Sequence, residues 1–275
     1  MKTRLTVAVI LVPLFFVVLF FLPPYALAGV VSIISAISAY ELLHSVWVKG
    51  NDRILIYTAF SAALIPVGAY FEAIELVFPA VFLVLMCLLF VEAIPVFQTI
   101  RRITFPQILM ALFAGALIPL MLSCLVSLKL MPEGRFFVLL PVISAFLTDG
   151  GAYFAGRFFG KKKAFPLVSP KKTVEGCVGG LVAGTAALLI YGAILVFTTF
   201  NYVVFWALFL YGAVGATITQ LGDLAFSLIK REFDIKDYGR LLPGHGGMLD
   251  RFDSMVFTAP AMYLLVSAIP PIVVR

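Results

Sequence analysis

One short stretch of this chain concentrates side chains that could bind a metal ion and phosphates. Residues 227–253 read SLIKREFDIKDYGRLLPGHGGMLDRFD and hold ten charged residues, whereas only 12% of the 275 residues are charged overall. Apolar sequence lies on both sides, and Asp223, Asp250 and Asp253 fall within or beside the stretch. A segment this polar between long apolar runs is expected to hold the chemistry of the protein.

Acidic residues recur at one predicted depth, near the membrane interface that also carries the basic loops. An aspartate inside the bilayer costs about 2.5–3.5 kcal/mol even on a lenient insertion scale, so several at one level imply a water-filled cavity and a compensating cation. Carboxylate ligands without a His–Cys set suit a hard ion such as Mg2+ rather than zinc. The alternative is that each acid pairs with a neighbouring cation, as Asp149 could with Arg157. The acids are Asp149, Glu175, Asp223, Asp250 and Asp253.

Two segments have the composition of phosphate-binding sites. Residues 169–176 read SPKKTVEG, a basic loop predicted to run into a helix, and helix N-termini attract anions through free N–H groups and the dipole. Residues 244–247 read GHGG, where glycines let backbone amides approach an anion closely. His245 is either a turn cap or a phosphate contact, and Arg251 could orient the two flanking aspartates or hold a pyrophosphate. The lysines at 161–163 are typical of a topology signal.

The composition indicates an all-α, polytopic integral membrane protein. The chain is 63% hydrophobic with a mean hydropathy of +1.11, whereas soluble domains are about 45–50% apolar and about 25% charged. The formal charge of +6 is therefore attributed to membrane-loop bias and not to nucleic-acid binding.

About nine transmembrane helices are predicted, because a span needs roughly 20 apolar residues. With nine spans, 17 of the 20 Lys and Arg residues fall on the N-terminal side, which places the N-terminus in the cytoplasm and the C-terminus outside. The first span imitates a secretory signal, but its length favours retention. The predicted spans are 5–22, 26–48, 54–71, 74–94, 105–128, 136–156, 174–197, 202–228 and 254–273.

Two regions differ in character. Residues 1–135 form spans one to five, joined by short loops. Residues 136–275 form a catalytic region of spans six to nine, with basic cytoplasmic loops at 157–173 and 229–253, and are expected to carry all the intramembrane acids. The absence of an evident internal repeat disfavours inverted-repeat transporters. Small residues in the seventh span permit close helix packing, either within a subunit or in a homodimer.

The constellation resembles the CDP-diacylglycerol synthases, also called phosphatidate cytidylyltransferases. Their signature runs from a serine, through Lys-Arg and Lys-Asp, to His-Gly-Gly and a closing Asp-Arg-hydrophobic-Asp, and residues 227–253 show no departure from it. Three other segments also fit: 148–161, 169–176 and 220–223. The matching signature residues are Ser227, Lys230, Arg231, Lys236, Asp237, Gly239, Leu242, Pro243, His245, Gly246, Gly247, Met248, Asp250, Arg251, Phe252 and Asp253.

The resemblance implies that CTP and phosphatidic acid react to give CDP-diacylglycerol and pyrophosphate, with Mg2+ as cofactor. Asp223 and Asp250 are the expected metal ligands, and Asp253 and Asp149 are weaker candidates. A second, monovalent ion such as K+ is compatible with the carboxylates. The expected location is a bacterial inner (cytoplasmic) membrane, with the active site facing the cytoplasm. The expected phosphate contacts are Lys171, Lys172, Lys230, Arg231, His245, Gly246, Gly247 and Arg251.

Three other functions compete with this one. A CDP-archaeol synthase or a polyprenol kinase would share the acids and basic loops but use another lipid acceptor. An ion-coupled transporter would also place acids inside the membrane. Against the transporter, the acids lie near one face and not at the midplane.

Overall fold

The computed structural model describes residues 13, 15–46, 52–100, 102–199, 202–241 and 246–273. Most of these residues are helical, which confirms an all-α polytopic membrane protein. The chain divides into two compact units. The N-terminal unit comprises Met1–Leu130 and Ile235–Phe252, and the C-terminal unit comprises Met131–Asp234 and Asp253–Arg275. The signature segment after residue 234 thus groups with the N-terminal helices.

Long apolar helices build the N-terminal unit. The fourth of them begins at a capping box, in which the Thr104 N–H donates to Gln107 Oε1 (2.8 Å) and Pro106 occupies the first turn. A π-helical turn, Phe113–Leu117, interrupts the last span, and there Gly115 lies against Thr58 and Leu85. The elements are α1 (Pro24–Val46), α2 (Asp52–Tyr70), α3 (Ile74–Ala93), α4 (Phe105–Leu112) and, after the π turn, α5 (Ile118–Leu130).

The C-terminal unit adds two small antiparallel sheets to its helices. Strands β1 (Lys163–Phe165) and β2 (Ser169–Thr173) form a hairpin, and β3 (Tyr202–Val203) pairs with β4 (Ile272–Val273). The helix Leu249–Ala268 contains the boundary between the units, since Phe252 and Asp253 both lie within it. The helices are α6 (Gly134–Phe137), α7 (Leu139–Phe159), α8 (Val174–Thr199), α9 (Phe205–Glu232) and α10 (Leu249–Ala268).

Seven helices of the described residues are long and apolar enough to span a membrane. They correspond to the second through eighth predicted spans. Half of the predicted first span, residues 5–12 and 14, lies outside the described residues. The ninth corresponds to α10, which is helical but carries Asp250, Arg251 and Asp253 in its first turns, so its mean hydropathy is lower. The count of nine and the placement of the termini stay predictions.

Glycines of α8 pack against α7 within the same chain. A Cβ at Gly179 would lie 2.1 Å from Ala155 Cβ, and one at Gly184 would lie 2.2 Å from Thr148 Oγ1. Gly151 of α7 meets Ala183 in the same way. The small residues of this span therefore bring two helices of one subunit into close contact, which holds Asp149 of α7 at a fixed position.

Candidate active site

The basic segment between α7 and α8 is a two-stranded hairpin where the sequence suggested a loop. Strand β2 ends at Thr173, whose Oγ1 accepts the N–H of Gly176 (3.1 Å) and so caps the start of α8. Gly156 and Gly160 of the preceding segment leave no room for a Cβ beside the Thr173 side chain. Because strand residues alternate in direction, Lys171 and Lys172 point to opposite faces of β2. Lys171 is exposed, whereas Lys172 is partly buried.

Lys172 forms an ion pair with Asp223 of α9. Lys172 Nζ lies 2.6 Å from Asp223 Oδ2, and the two side chains are 20% and 29% exposed. The other carboxylate oxygen of Asp223 accepts a long hydrogen bond from Ser227 Oγ, at 3.4 Å, one turn further along α9. The hairpin thus supplies the cation that compensates an aspartate near the end of an apolar helix.

A second ion pair lies on the same end of α9. Lys230 Nζ is 3.9 Å from Asp253 Oδ2, with both side chains 12% exposed. Asp253 Oδ1 accepts the N–H of Ser254 (2.7 Å). The Asp253 carboxylate also interacts electrostatically with those of Asp223 and Asp149. Asp253 therefore lies in the field of both Asp149 and Asp223, while Lys172 pairs with Asp223 and Lys230 with Asp253.

Other charged residues of this unit organise the hairpin. Arg231 Nε donates to the carbonyl of Val168 (3.2 Å) in the hairpin turn. Glu175 Oε2 accepts the backbone N–H groups of Lys161 (3.1 Å) and Lys162 (3.3 Å). Arg157, which the sequence offered as a partner for Asp149, donates to the Tyr153 hydroxyl (3.0 Å). These contacts fix the basic segment against α8 and the end of α9.

Asp250 organises the signature segment of the N-terminal unit. It is buried, and its Oδ2 accepts the N–H groups of Tyr238 (2.9 Å) and Gly247 (3.0 Å). Gly246 has φ +87°, a conformation that favours glycine, and a Cβ there would lie 3.1 Å from Asp250 Oδ2. Arg251 is exposed. His245 lies outside the described residues, so its predicted role stays a prediction.

The expectation that residues 136–275 carry all the intramembrane acids is wrong. Glu41 lies on α1, a candidate span, and is only 6% exposed. Its Oε2 accepts the N–H of Leu249, at 3.0 Å, in the signature segment of the same unit. The sequence signal was a lone acid in an apolar run, but its partner lies far along the chain and no local pattern links the two.

No three His, Cys, Asp or Glu side chains converge as a ready-made metal centre anywhere in the part of the chain that the structure describes. The donor chemistry nevertheless fits a hard cation. Mg2+ keeps several waters and is usually bound through one or two carboxylates together with substrate phosphates, and not in an all-protein cage. Asp223 and Asp253, close enough to interact, have the oxygen donors that such an ion needs.

Comparison with known proteins places this chain in a family. A protein called phosphatidate cytidylyltransferase from Staphylococcus saprophyticus is 45% identical over 133 residues, covering 48% of this chain and 50% of that protein. Proteins of the same name from Staphylococcus haemolyticus and Staphylococcus aureus are 44% and 45% identical over the same length and shares. These alignments span about half the length of the curated relatives. The model of the cytidylyltransferase family matches residues 2–269, nearly the whole chain. This chain is a member of the cytidylyltransferase family.

Proposed function

We propose that this protein is a phosphatidate cytidylyltransferase, which transfers CMP from CTP to phosphatidic acid and releases pyrophosphate. The observation that carries the proposal is the pair of ion pairs at the end of α9, in which Lys172 of strand β2 meets Asp223 and Lys230 meets Asp253 of α10. A lipid phosphate and a nucleoside triphosphate are both anions, so a site that binds them together needs cations and metal-binding oxygens. The lipid also requires that this site be reachable from the bilayer. Three relatives named for this reaction support the choice of substrate and do not favour a prenyl-lipid acceptor or a transporter.

The proposed reaction needs no protein nucleophile, because the lipid phosphate is already an anion at neutral pH. One of its oxygens attacks the α-phosphorus of CTP, a new P–O bond forms, and the bond from the α-phosphorus to the bridging oxygen of the β-phosphate breaks. The electron pair leaves with pyrophosphate. Catalysis then depends on in-line positioning and on neutralising the charge of the phosphates.

Lysines of the two ion pairs neutralise that charge in the proposed site. Lys172 and Lys230 are already held by carboxylates at defined positions, so little side-chain entropy is lost when a phosphate binds. Lys171, exposed on the opposite face of the same strand, would meet the triphosphate from solution. Arg231, His245, Gly246, Gly247 and Arg251 stay predicted phosphate contacts.

Asp223 and Asp253 are the carboxylates of the C-terminal unit best suited to hold Mg2+, with Asp149 nearby. When bound, Mg2+ would supply positive charge that stabilises the negative charge on the phosphate oxygens. A ligand role for Asp250, and a second, monovalent ion such as K+, stay predictions. We further propose that the membrane is the cytoplasmic one and that the site faces the cytoplasm, since 17 of the 20 cations fall on that side of the predicted topology.

Pyrophosphate release by the purified, detergent-solubilised protein tests this proposal. We expect release only when CTP, Mg2+ and phosphatidic acid are all present, and not when ATP replaces CTP. Release with a prenyl-chain phosphate but not with phosphatidic acid would assign the protein to another lipid substrate. Ion flux in proteoliposomes without CTP would instead favour a transporter.

A further inference from the structure

Glu41 is a buried carboxylate to which the proposed reaction assigns no role. It lies on α1, in a span that carries no other acid, and is 6% exposed. Its Oε1 has no hydrogen-bond partner among the described residues, whereas Oε2 accepts the N–H of Leu249. An acid in such an environment is costly unless something specific compensates it.

The contact places Glu41 at the start of the helix that carries the acidic signature. Leu249 is the first residue of α10, and the N–H groups of a first helical turn have no partners within the helix. A carboxylate there satisfies one such donor and interacts favourably with the helix dipole. Glu41 therefore caps α10 from a distant part of the chain. The residue that it contacts, Leu249, directly precedes Asp250.

Two glycines of the signature segment fit around the same carboxylate. A Cβ at Gly239 would lie 2.3 Å from Glu41 Oε1, and a Cβ at Gly247 would lie 2.4 Å from Oε2. Contacts that short do not occur between real atoms, so any side chain at either position would displace Glu41 or the segment. Both glycines are required because the backbone passes directly against the carboxylate.

Asp250 holds the same segment from within. Its Oδ2 accepts the N–H groups of Tyr238 and Gly247, which lie before and after the residues 242–245. Glu41 contacts Gly239 and Gly247 in the same two places. The two carboxylates thus contact the described residues on both sides of 242–245, at Tyr238 and Gly239 and at Gly247.

We propose that Glu41 is a positioning residue for the proposed cytidylyl transfer: it sets the conformation of residues 239–241 and 246–250 without contacting substrate. This inference rests on the proposed function for its kinetic consequence, but not for its structural one. Displacing a reacting group by about 1 Å can cost on the order of 100-fold in rate. A shift of the segment should therefore lower turnover even in a folded protein.

Substitutions at Glu41, with a matched control, test this role. Glu92 on α3 is the control, since it is another acid of a span in the same unit and pairs with Arg53 (3.9 Å). We expect Glu41→Ala to lower kcat/KM about 100-fold per folded molecule. Glu41→Gln should lower it less, because its amide oxygen can still accept the Leu249 N–H. Glu92→Gln should change it less than about threefold. Equal kinetics for Glu41→Ala and Glu92→Gln, at equal folded fraction, would overturn the role.

Hydrogen exchange supplies a readout that needs no activity. In Glu41→Ala, amides of residues 246–252 should exchange about tenfold faster than in the parent, while Glu92→Gln should leave them unchanged. Unchanged exchange in Glu41→Ala would reject the inference. If the parent protein released no pyrophosphate with any lipid but exchange still changed, the proposed function would fail while the structural contact held.

A double substitution tests the contact itself. Gly239→Ala alone should lower kcat/KM strongly, because its methyl group meets the carboxylate. In the Glu41→Ala background the same substitution should have a much smaller effect, since the obstacle is gone. Additive effects of the two substitutions would contradict the proposal.

Discussion

Lys172 on strand β2 and Asp223 on helix α9 form an ion pair with 2.6 Å between Nζ and Oδ2. The pair joins the basic hairpin to the helix that also carries Lys230 and Arg231 of the signature. It also explains how an aspartate is tolerated near the end of an apolar span. The two residues are therefore expected to act as one unit.

Removing either lysine of strand β2 should have distinct consequences. Lys172→Ala removes the ion-pair partner of Asp223, so we expect lower thermal stability and a loss of kcat of about 100-fold or more. Lys171→Ala removes an exposed cation, so KM for CTP should rise about tenfold with little change in kcat. Steady-state kinetics and thermal unfolding in detergent measure both effects. Identical kinetic effects of the two substitutions would refute the distinction.

Asp223→Asn tests the proposed metal ligand. The amide keeps the size of the side chain but loses the charge that attracts Mg2+, so the Mg2+ concentration for half-maximal activity should rise and kcat should fall by about 100-fold. The measurement is pyrophosphate release over a range of Mg2+ concentrations. Asp250→Asn, measured alongside, tests the second predicted ligand. Near-parental turnover of either variant at saturating Mg2+ would remove that residue from the metal site.

Lys230 and Asp253 should show energetic coupling. Their charged atoms are 3.9 Å apart and both side chains are 12% exposed, so screening by water is weak. A double-mutant cycle with Lys230→Met and Asp253→Asn should give a coupling of about 0.5–3 kcal/mol in thermal stability. A coupling near zero would mean that the pair contributes nothing and that each residue acts independently.

Part of this site could be predicted from the sequence, and part could not. The acidic and basic residues of 227–253 were recognisable because charge is rare in this chain and the motif is continuous. The pairing of Lys172 with Asp223 was not, since it depends on the hairpin, whose Lys- and Pro-containing strands looked like a loop. Glu41 was missed because its contacts with Gly239, Gly247 and Leu249 join distant parts of the chain.

Helix packing around Asp149 gives a further prediction. Gly179→Ala should destabilise the protein by about 1–3 kcal/mol, because its methyl group would overlap Ala155. Adding Ala155→Gly should restore most of the loss, apart from about 1 kcal/mol for a glycine within a helix. Gly150→Ala is the matched control, since a Cβ there has no atom within 4 Å. Thermal unfolding of the parent, Gly179→Ala, the double variant and Gly150→Ala measures these effects. If adding Ala155→Gly did not restore stability to Gly179→Ala, the observed packing would be contradicted.

The most direct test of the proposed cytidylyltransferase activity is pyrophosphate release by the purified protein given CTP, Mg2+ and phosphatidic acid. We predict release that requires all three components, with CDP-diacylglycerol formed in equal amount. Absence of release from folded protein with phosphatidic acid, under conditions where CTP and Mg2+ are saturating, would contradict the proposed function.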